Sequence, residues 1–292
     1  MKAIVYEKYG LPEVLQLKEV DIPTPKEDEV LVKIHAASIN YGDLPVLRGE
    51  PLQRLMGGGL LKPKHKILGD DVAGRVKAVG VNAKLFQQGE EVFGISNFGA
   101  FAEYVCVRED LLVSKPASMT FEQAAAVPMA EITALQGLRD KGQVQTGDSV
   151  LINGASGGVG TFAVQIAKSF GAEVTGVCST SKLDMVRSIG ADHVVDYTQE
   201  DFTKSGQQYD LILGAGGYHP ISDYWRALNP EGIYVCPGGS FAQYFQAALL
   251  GPLLSMVGSK KLGAMYGNPN KTDYAFLIEL FEAGKVVPIV DR

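Results

Sequence analysis

Apolar and polar positions change rhythm once along this chain. Up to about residue 115 they alternate over short runs, at 2–6, 14–20, 29–37, 72–79, 91–95 and 100–107, separated by turns containing Gly, Pro and Asp. Alternation with period two is the mark of half-buried strands, so this part is expected to be mostly β. From Thr120 onward helical and strand patterns take turns. Helices are expected at 120–126, 133–142, 161–170, 181–189 and 221–228, with strands at 150–152, 173–178, 193–195, 210–213 and 232–235. Alternating β and α joined by right-handed crossovers gives a doubly wound parallel sheet of the Rossmann type. The longest apolar stretch, 241–257, is broken by Gln243, Gln246, Gly251, Pro252 and Ser255. It reads as a buried or interface helix rather than a membrane span.

One segment carries most of the chemistry. From Ser149 to Gly160 the chain reads Ser-Val-Leu-Ile-Asn-Gly-Ala-Ser-Gly-Gly-Val-Gly. A fully apolar strand runs straight into a glycine turn and a helix start. Ala155-x-Gly157-x-x-Gly160 supplies the tight turn, the close backbone approach to a pyrophosphate and the close helix-to-strand packing of a dinucleotide fingerprint. Ser156, Gly157, Gly158, Val159 and Gly160 are therefore candidate phosphate contacts at a helix N-terminus. The end of the next strand, Cys178-Ser-Thr-Ser-Lys182, distinguishes the cofactor. No acid stands between Val174 and Leu183 to accept a ribose 2′-hydroxyl, whereas hydroxyls and the Lys182 ammonium suit a 2′-phosphate. NADPH is expected over NADH, although the same Ser-Thr-Ser also suits a helix cap.

Composition narrows the classes. The 292 residues carry a formal net charge of −6 and no basic stripe, which argues against nucleic acid as a partner. Three widely spaced cysteines with no Cys-x-x-Cys encode neither a disulfide framework nor a structural zinc site and fit a reducing compartment. A cytoplasmic location is expected, and a strand-like start at Lys2 leaves no leader sequence in the reading. Gly57-Gly-Gly59 and the lysines after it read as a mobile basic loop.

The order of motifs resembles that of the medium-chain dehydrogenase/reductases. Gly99-Ala-Phe-Ala-Glu-Tyr104, Ala124-Ala-Ala-Val-Pro128, Thr133-Ala-Leu-Gln-Gly-Leu138 and Asn153-Gly-Ala-Ser-Gly-Gly-Val-Gly160 carry the likeness. Ala37-Ser-Ile-Asn40, Ile67-Leu-Gly-Asp70 and Pro237-Gly-Gly239 add to it. The chain is most similar to the zinc-independent quinone oxidoreductase branch. That resemblance implies a GroES-like, mostly β catalytic domain over 1–119, a Rossmann NADP-binding domain over 120–285, and in 286–292 the start of a return segment that is cut short. A homodimer is also expected.

Zinc is not expected. By the resemblance, zinc-using members have a cysteine where Asn40 stands and a His-Glu pair where Asp70-Asp71 stands, and the four histidines lack partners at ligand spacing. Without a Lewis acid, quinones and enones are the expected acceptors, because conjugation spreads the developing negative charge. Asn40 is then the candidate hydrogen-bond donor to the substrate oxygen, with Tyr41 and Asp43 the nearest titratable groups. The competing readings are that Asn40 holds a turn, Asp43 caps 44–48 and Tyr41 is core. The resemblance also implies that Thr133 lies beside the nicotinamide, that Ser179, Lys182 and Tyr197 serve the 2′-phosphate and adenosine, and that Gly238 and Gly239 line the cofactor. Two other functions fit the pattern, an enoyl-thioester reductase and a non-catalytic NADPH-binding protein. Three departures stand out: Glu131 places a charge near the cofactor, Gly214 replaces an acid, and the turn at 96–98 is short.

Overall fold

The computed structural model describes residues 1–291, and Arg292, the last residue of the expected return segment, lies outside the described residues. Two compact units emerge. Among the described residues, the first comprises 1–129 with 269–274 and 290–291, the second 130–268 with 275–289.

The first unit is β-rich because its apolar residues alternate. β1 (Lys2–Val5) pairs antiparallel with β2 (Gln16–Glu19). A five-stranded antiparallel sheet is built from β3 (Glu29–Ala37), β4 (Asp71–Val79), β5 (Glu91–Ile95), β6 (Tyr104–Arg108) and β7 (Leu112–Ser114), in the order β6-β3-β4-β5-β7. Val30, Val32, Val72, Val76, Val92, Val105, Val107 and Leu112 point into one core. The expected strand at 100–107 begins only at Tyr104, because Ala100 and Phe101 donate to Gly69 and Leu68 carbonyls in a turn. Short helices α1 (Asp43–Arg48) and α2 (Pro51–Gln53) follow β3. Of the segment expected as a mobile loop, Gly57 and Gly58 end a wide helical turn over Arg54–Gly58 that continues α2, while 59–66 has no regular secondary structure; the Tyr9 hydroxyl donates to the Gly58 and Gly59 carbonyls at 2.7 and 2.6 Å.

The short turn at 96–98 has a physical price. Asn97 and Phe98 take left-handed φ values of 54° and 87°, which side-chain-bearing residues seldom adopt. Asp70 holds them there, accepting the Phe98 N–H at 2.7 Å, while Phe98 stacks on His65 at 4.3 Å.

Helix α3 (Phe121–Ala126) starts with a capping box: Thr120 accepts the Gln123 N–H, and the Gln123 side chain accepts that of Thr120. Helix α4 (Pro128–Gln136) runs on into a wide turn over Gly137–Lys141, so the helix expected at 133–142 starts five residues earlier. Proline at its first position explains the early start, since its missing N–H would be unpaired there anyway.

The second unit is a six-stranded parallel sheet. Its strands are β8 (Ser149–Asn153), β9 (Glu173–Cys178), β10 (His193–Asp196), β11 (Tyr209–Gly214), β12 (Leu228–Cys236) and β13 (Lys261–Ala264), in the order β10-β9-β8-β11-β12-β13. Around it lie α5 (Gly158–Ser169), α6 (Leu183–Ser188), α7 (Ile221–Ala227), α8 (Phe241–Ser255) and α9 (Lys271–Glu282), the last running from one unit into the other. β8 is buried from Val150 to Asn153, as a central strand covered on both faces must be. The chain order reverses between β8 and β11, which places a ligand-binding crevice at their carboxyl ends.

The long apolar stretch is only half buried. Gln243, Ala247 and Gly251 of α8 are buried, whereas Phe241, Phe245, Leu249, Leu250 and Leu253 are exposed. β13 and α9 are absent from the sequence reading; β13 has four residues and no β-branched side chain, so alternation has little to act on. The segment after α9 is pinned by Gln165, whose buried amide bonds both the N–H and the carbonyl of Val287.

Removing the α3 cap should destabilise the first unit: Thr120→Ala should lower stability by about 1 kcal/mol in chemical unfolding.

Candidate active site

The nucleotide side is a backbone construction. After β8 the chain turns, and the Gly154 and Ala155 N–H groups both donate to the Val177 carbonyl of the next strand, at 3.1 and 2.9 Å. Helix α5 then starts hard against this turn. A Cβ at Gly160 would lie 2.0 Å from the Gly154 carbonyl oxygen, so no other residue fits. No side chain caps α5 at Gly157, and Gly157 and Gly158 are exposed. The first-turn N–H groups of Gly158, Val159 and Gly160 thus present the positive helix end to the crevice. Ser156 is half-buried beside them. A pyrophosphate fits this cradle.

At the end of β9 the chain differs from the expected helix at 181–189. Thr180–Lys182 forms a tight 3₁₀ turn, α6 begins at Leu183, and the Ser179 side chain makes no capping bond. The Ser179 hydroxyl instead lies 3.4 Å from that of Ser181. An acid does stand close by, on the neighbouring strand. Asp196 ends β10 in register with Cys178, and the Thr180 hydroxyl donates to it. Asp196 also accepts the Thr198 N–H and hydroxyl at 3.0 and 2.7 Å, and these bonds, Thr180's first, hold its pKa below the ordinary range. The pairing lies across strands, so spacing along the chain cannot reveal it. Lys182 is half-buried and Tyr197 exposed at the same end of the sheet.

Gly214 has a structural cause. Behind it the Gln243 amide donates to the Tyr224 and Tyr234 hydroxyls at 3.1 and 2.9 Å, and Asn153 donates to Tyr224 at 2.9 Å. A Cβ at Gly214 would come within 2.8 Å of the Tyr234 hydroxyl and 2.9 Å of the Gln243 nitrogen. This buried network occupies the space that an acidic side chain at this position would need. Gly238 and Gly239 follow β12 with open space around them, the Gly238 carbonyl accepting from the Cys236 thiol.

Thr133 is buried in α4, and one turn later Gln136 clamps Asn268 through its N–H and carbonyl at 2.9 and 2.7 Å. Glu131 is not the charge expected there. It is 2% exposed, its Oε1 has no hydrogen-bond partner, and burial pushes its pKa up to about 8, so the carboxyl is neutral at pH 7.

In the first unit the segment after β3 gathers the remaining candidates. The Asn40 amide donates to Asp71 Oδ2 at 3.0 Å, and Ser38 Oγ contacts the same oxygen at 2.7 Å. Asp71 is completely buried, and its other oxygen has no hydrogen-bond partner. Burial pushes its pKa up to about 7, against the opposing hydrogen bonds from Asn40 and Ser38. Asp43, in the first turn of α1, accepts the Asn40 N–H at 2.8 Å, while its own N–H donates to the Asn40 carbonyl at 3.1 Å. Asp43 therefore fixes the Asn40 turn, and burial raises its pKa. Tyr41 is 62% exposed and its hydroxyl enters none of these bonds. Ser38 and Asp71 are missed by the sequence reading as site residues; the Ser-x-Asn spacing is the available signal, but Asp71 joins it only through the pairing of β3 with β4. Among the described residues no three His, Cys, Asp or Glu side chains gather as a metal-binding group. No helix among them is long and apolar enough to cross a membrane.

Comparison with known proteins agrees with this architecture. A family model described as alcohol dehydrogenase GroES-like domain matches residues 26–117, and one described as zinc-binding dehydrogenase matches 158–283. The chain is 38% identical over 305 residues to a 2-methylene-furan-3-one reductase of Solanum lycopersicum, covering all of this chain and 71% of that one. It is 31% identical over 306 residues to a chloroplast envelope quinone oxidoreductase homolog of Arabidopsis thaliana, covering 100% and 90%. Among solved structures, the quinone oxidoreductase from Coxiella burnetii superposes with a TM-score of 0.86 at 28% identity, covering 99% of this chain and 90% of that one. The fold and site thus define an oxidoreductase with a nicotinamide cofactor. The chain belongs to the medium-chain dehydrogenase/reductase superfamily, in its zinc-independent quinone oxidoreductase-like branch.

The buried Glu131 makes stability depend on pH. Its folded-state pKa lies above the 4.5 of a free glutamate, so the folded chain keeps a proton that the unfolded chain releases, and stability falls as pH rises from 4.5 to about 8. Thermal unfolding of Glu131→Gln should fall less steeply over that range and exceed wild type at pH 8 by on the order of a few kcal/mol.

Proposed function

We propose that this protein is an NADPH-dependent reductase of α,β-unsaturated carbonyls and quinones. The observation that carries the reading is the Ser38–Asn40–Asp71 hydrogen-bonded cluster, in which, by the resemblance, Asn40 stands where zinc-using members of the superfamily have a cysteine and Asp71 where they have the second residue of a His-Glu pair. Such groups stabilise an oxyanion that conjugation has already delocalised, and little more is needed for an enone. An Arabidopsis thaliana relative named NADPH-dependent alkenal/one oxidoreductase, 38% identical over 308 residues, supports both the acceptor class and the cofactor.

The cofactor, when bound, supplies a hydride. The α5 N-terminus, with Ser156 to Gly160, would hold its pyrophosphate, and Gly238 and Gly239 leave backbone open along the crevice. Ser179, Lys182 and Tyr197 would take the 2′-phosphate and adenosine. Asp196 is ionised at the same end of the sheet, but Thr180 and Thr198 engage its oxygens in place of a ribose 2′-hydroxyl. Thr133 would face the nicotinamide. Asn40 keeps one amide hydrogen beyond the one given to Asp71, and that hydrogen is the donor proposed for the substrate oxygen. Asp43 acts on Asn40 by fixing its turn, and Tyr41 is left as an exposed neighbour.

An enoyl-thioester reductase is the second reading. A trans-enoyl reductase of Aspergillus terreus, 35% identical over 287 residues with 91% of this chain covered, favours it. NADPH oxidation with but-3-en-2-one, a benzoquinone and crotonyl-CoA offered side by side decides between the two. The enone and the quinone should be turned over at least tenfold faster by kcat/KM, and the reverse order would select the thioester. A homodimer is proposed through the exposed face of α8, and sedimentation equilibrium tests it. A cytoplasmic location rests on the three free cysteines, and fractionation tests it.

The cofactor assignment separates from the catalytic one. Lys182→Ala should weaken NADPH and leave NADH nearly untouched, lowering the preference roughly 10- to 150-fold for a charged hydrogen bond of about 1.5–3 kcal/mol. Asn40→Ala should instead lower turnover with both cofactors. Equal losses of NADPH and NADH affinity in Lys182→Ala would refute the phosphate contact.

A further inference from the structure

Conjugate reduction consumes a proton as well as a hydride, and the groups first considered for the proton are otherwise engaged. Asn40 has no acidic hydrogen at neutral pH. The Asp43 carboxylate accepts from the Asn40 backbone, and the exposed Tyr41 hydroxyl lies outside the hydrogen-bonded cluster.

The geometry points to Asp71 and Ser38 as a two-residue proton relay serving a substrate oxygen held by Asn40, a role that rests on the reductase reading. Three observations carry it. Asp71 has no exposed surface, one of its oxygens is unpartnered, and the other touches both Ser38 Oγ and Asn40 Nδ2. A carboxylate in that setting is a charge cut off from water, whereas the neutral acid is not, so the fold favours the protonated form.

With the proton on Oδ2, the 2.7 Å contact reverses its sense: the carboxyl O–H donates to Ser38 Oγ and still accepts from the Asn40 amide. The Ser38 hydrogen is then released to point elsewhere. Ser38 is half-buried, so it links the buried acid to the surface of the unit. The groups bearing on Asp71 are few. Asp70 precedes it in the chain and raises its pKa; Tyr274 of α9 lies near enough for its own pKa to be raised by Asp71, and its hydroxyl is likewise unpartnered; the Met129 N–H of α4 eases the charge weakly. No cation is among them.

As the enone β-carbon gains the hydride, the electron pair of its C=C bond moves toward the carbonyl and leaves an enolate. The enolate oxygen takes the hydrogen of Ser38, breaking that O–H bond, while Ser38 Oγ forms a new bond to the Asp71 proton. Asp71 is left as a carboxylate and regains its proton from water through Ser38 once the enol has left. The enol then becomes the saturated ketone by ordinary tautomerisation.

Two readouts test this. In the cofactor-free Glu131→Gln protein, which lacks the other buried acid, the infrared carbonyl stretch of a protonated acid should be present below pH 7, fade above it, and be missing once Asp71→Asn is added. In NADPH-dependent reduction of but-3-en-2-one, wild-type kcat should fall about tenfold per pH unit above pH 7. Asp71→Asn should lose that dependence and roughly 10²-fold or more in kcat, with NADPH affinity by fluorescence unchanged. Ser38→Ala should lose a comparable factor, and Ser38→Thr, which restores the hydroxyl, should recover most of it. A folded Asp71→Asn that keeps the wild-type pH profile, or a Ser38→Ala with unchanged kcat, would overturn the relay while leaving the reductase intact. Should Asp71→Asn fail to fold, the Ser38 pair decides alone. Wild-type protein that oxidises no NADPH with the enone would instead remove the reductase reading, and the relay with it.

Discussion

The second unit depends on one close approach of backbone to backbone. Because Gly160 has no side chain, α5 can begin within touching distance of the Gly154 carbonyl, and β8, the turn and the helix N-terminus become one rigid piece. Any Cβ there would push the helix away from β8 and β9, and with it the uncapped N–H groups that make the crevice an anion site. The parallel sheet supplies the other half of the constraint. Its order reverses beside β8, so Asn153 and Gly214 end neighbouring strands and the network behind them is shared. Gly214 is therefore a consequence of the Tyr224–Tyr234–Gln243 cluster.

A different device recurs in both units, a carboxyl group kept in the core. Asp71 and Glu131 are both buried with an unpartnered oxygen, and both have pKa values moved toward or beyond neutrality by loss of water. For Asp71 that burial is matched to neighbours that use it: Asn40 and Ser38 meet on one of its oxygens. For Glu131 no such neighbour is present, and its consequence is a pH-dependent stability. The same physics therefore has two outcomes, decided by what stands within hydrogen-bond distance.

Much of this was legible in the chain. The apolar run Val150-Leu-Ile152 followed at once by the glycines announces strand, turn and helix, because each local preference agrees with the next. β3 and β5 fall where the β-rich runs put them, and β9 where the strand after the fingerprint helix is expected. The misses share a cause, which is contact between residues distant in sequence. Asp196 meets Thr180 only because β10 pairs with β9, and Asp71 meets Asn40 only because β4 pairs with β3. Neither the neutrality of Glu131 nor the four-residue β13 leaves a periodic trace. Asn40, by contrast, stood out from the motif alone, while the order of importance among its neighbours did not: Asp71 bonds its side chain, Ser38 shares the same Asp71 oxygen, and Tyr41 enters neither bond.

The central claim is that hydride reaches the β-carbon of a conjugated carbonyl while hydrogen-bonding groups of the protein manage the oxygen, with no metal required. The most direct measurement is nuclear magnetic resonance of the product formed from but-3-en-2-one and unlabelled NADPH in D₂O with a chelator present. The account predicts butan-2-one with solvent deuterium at the α-carbon and none at the β-carbon. Formation of the allylic alcohol, with the C=C bond intact, would contradict it.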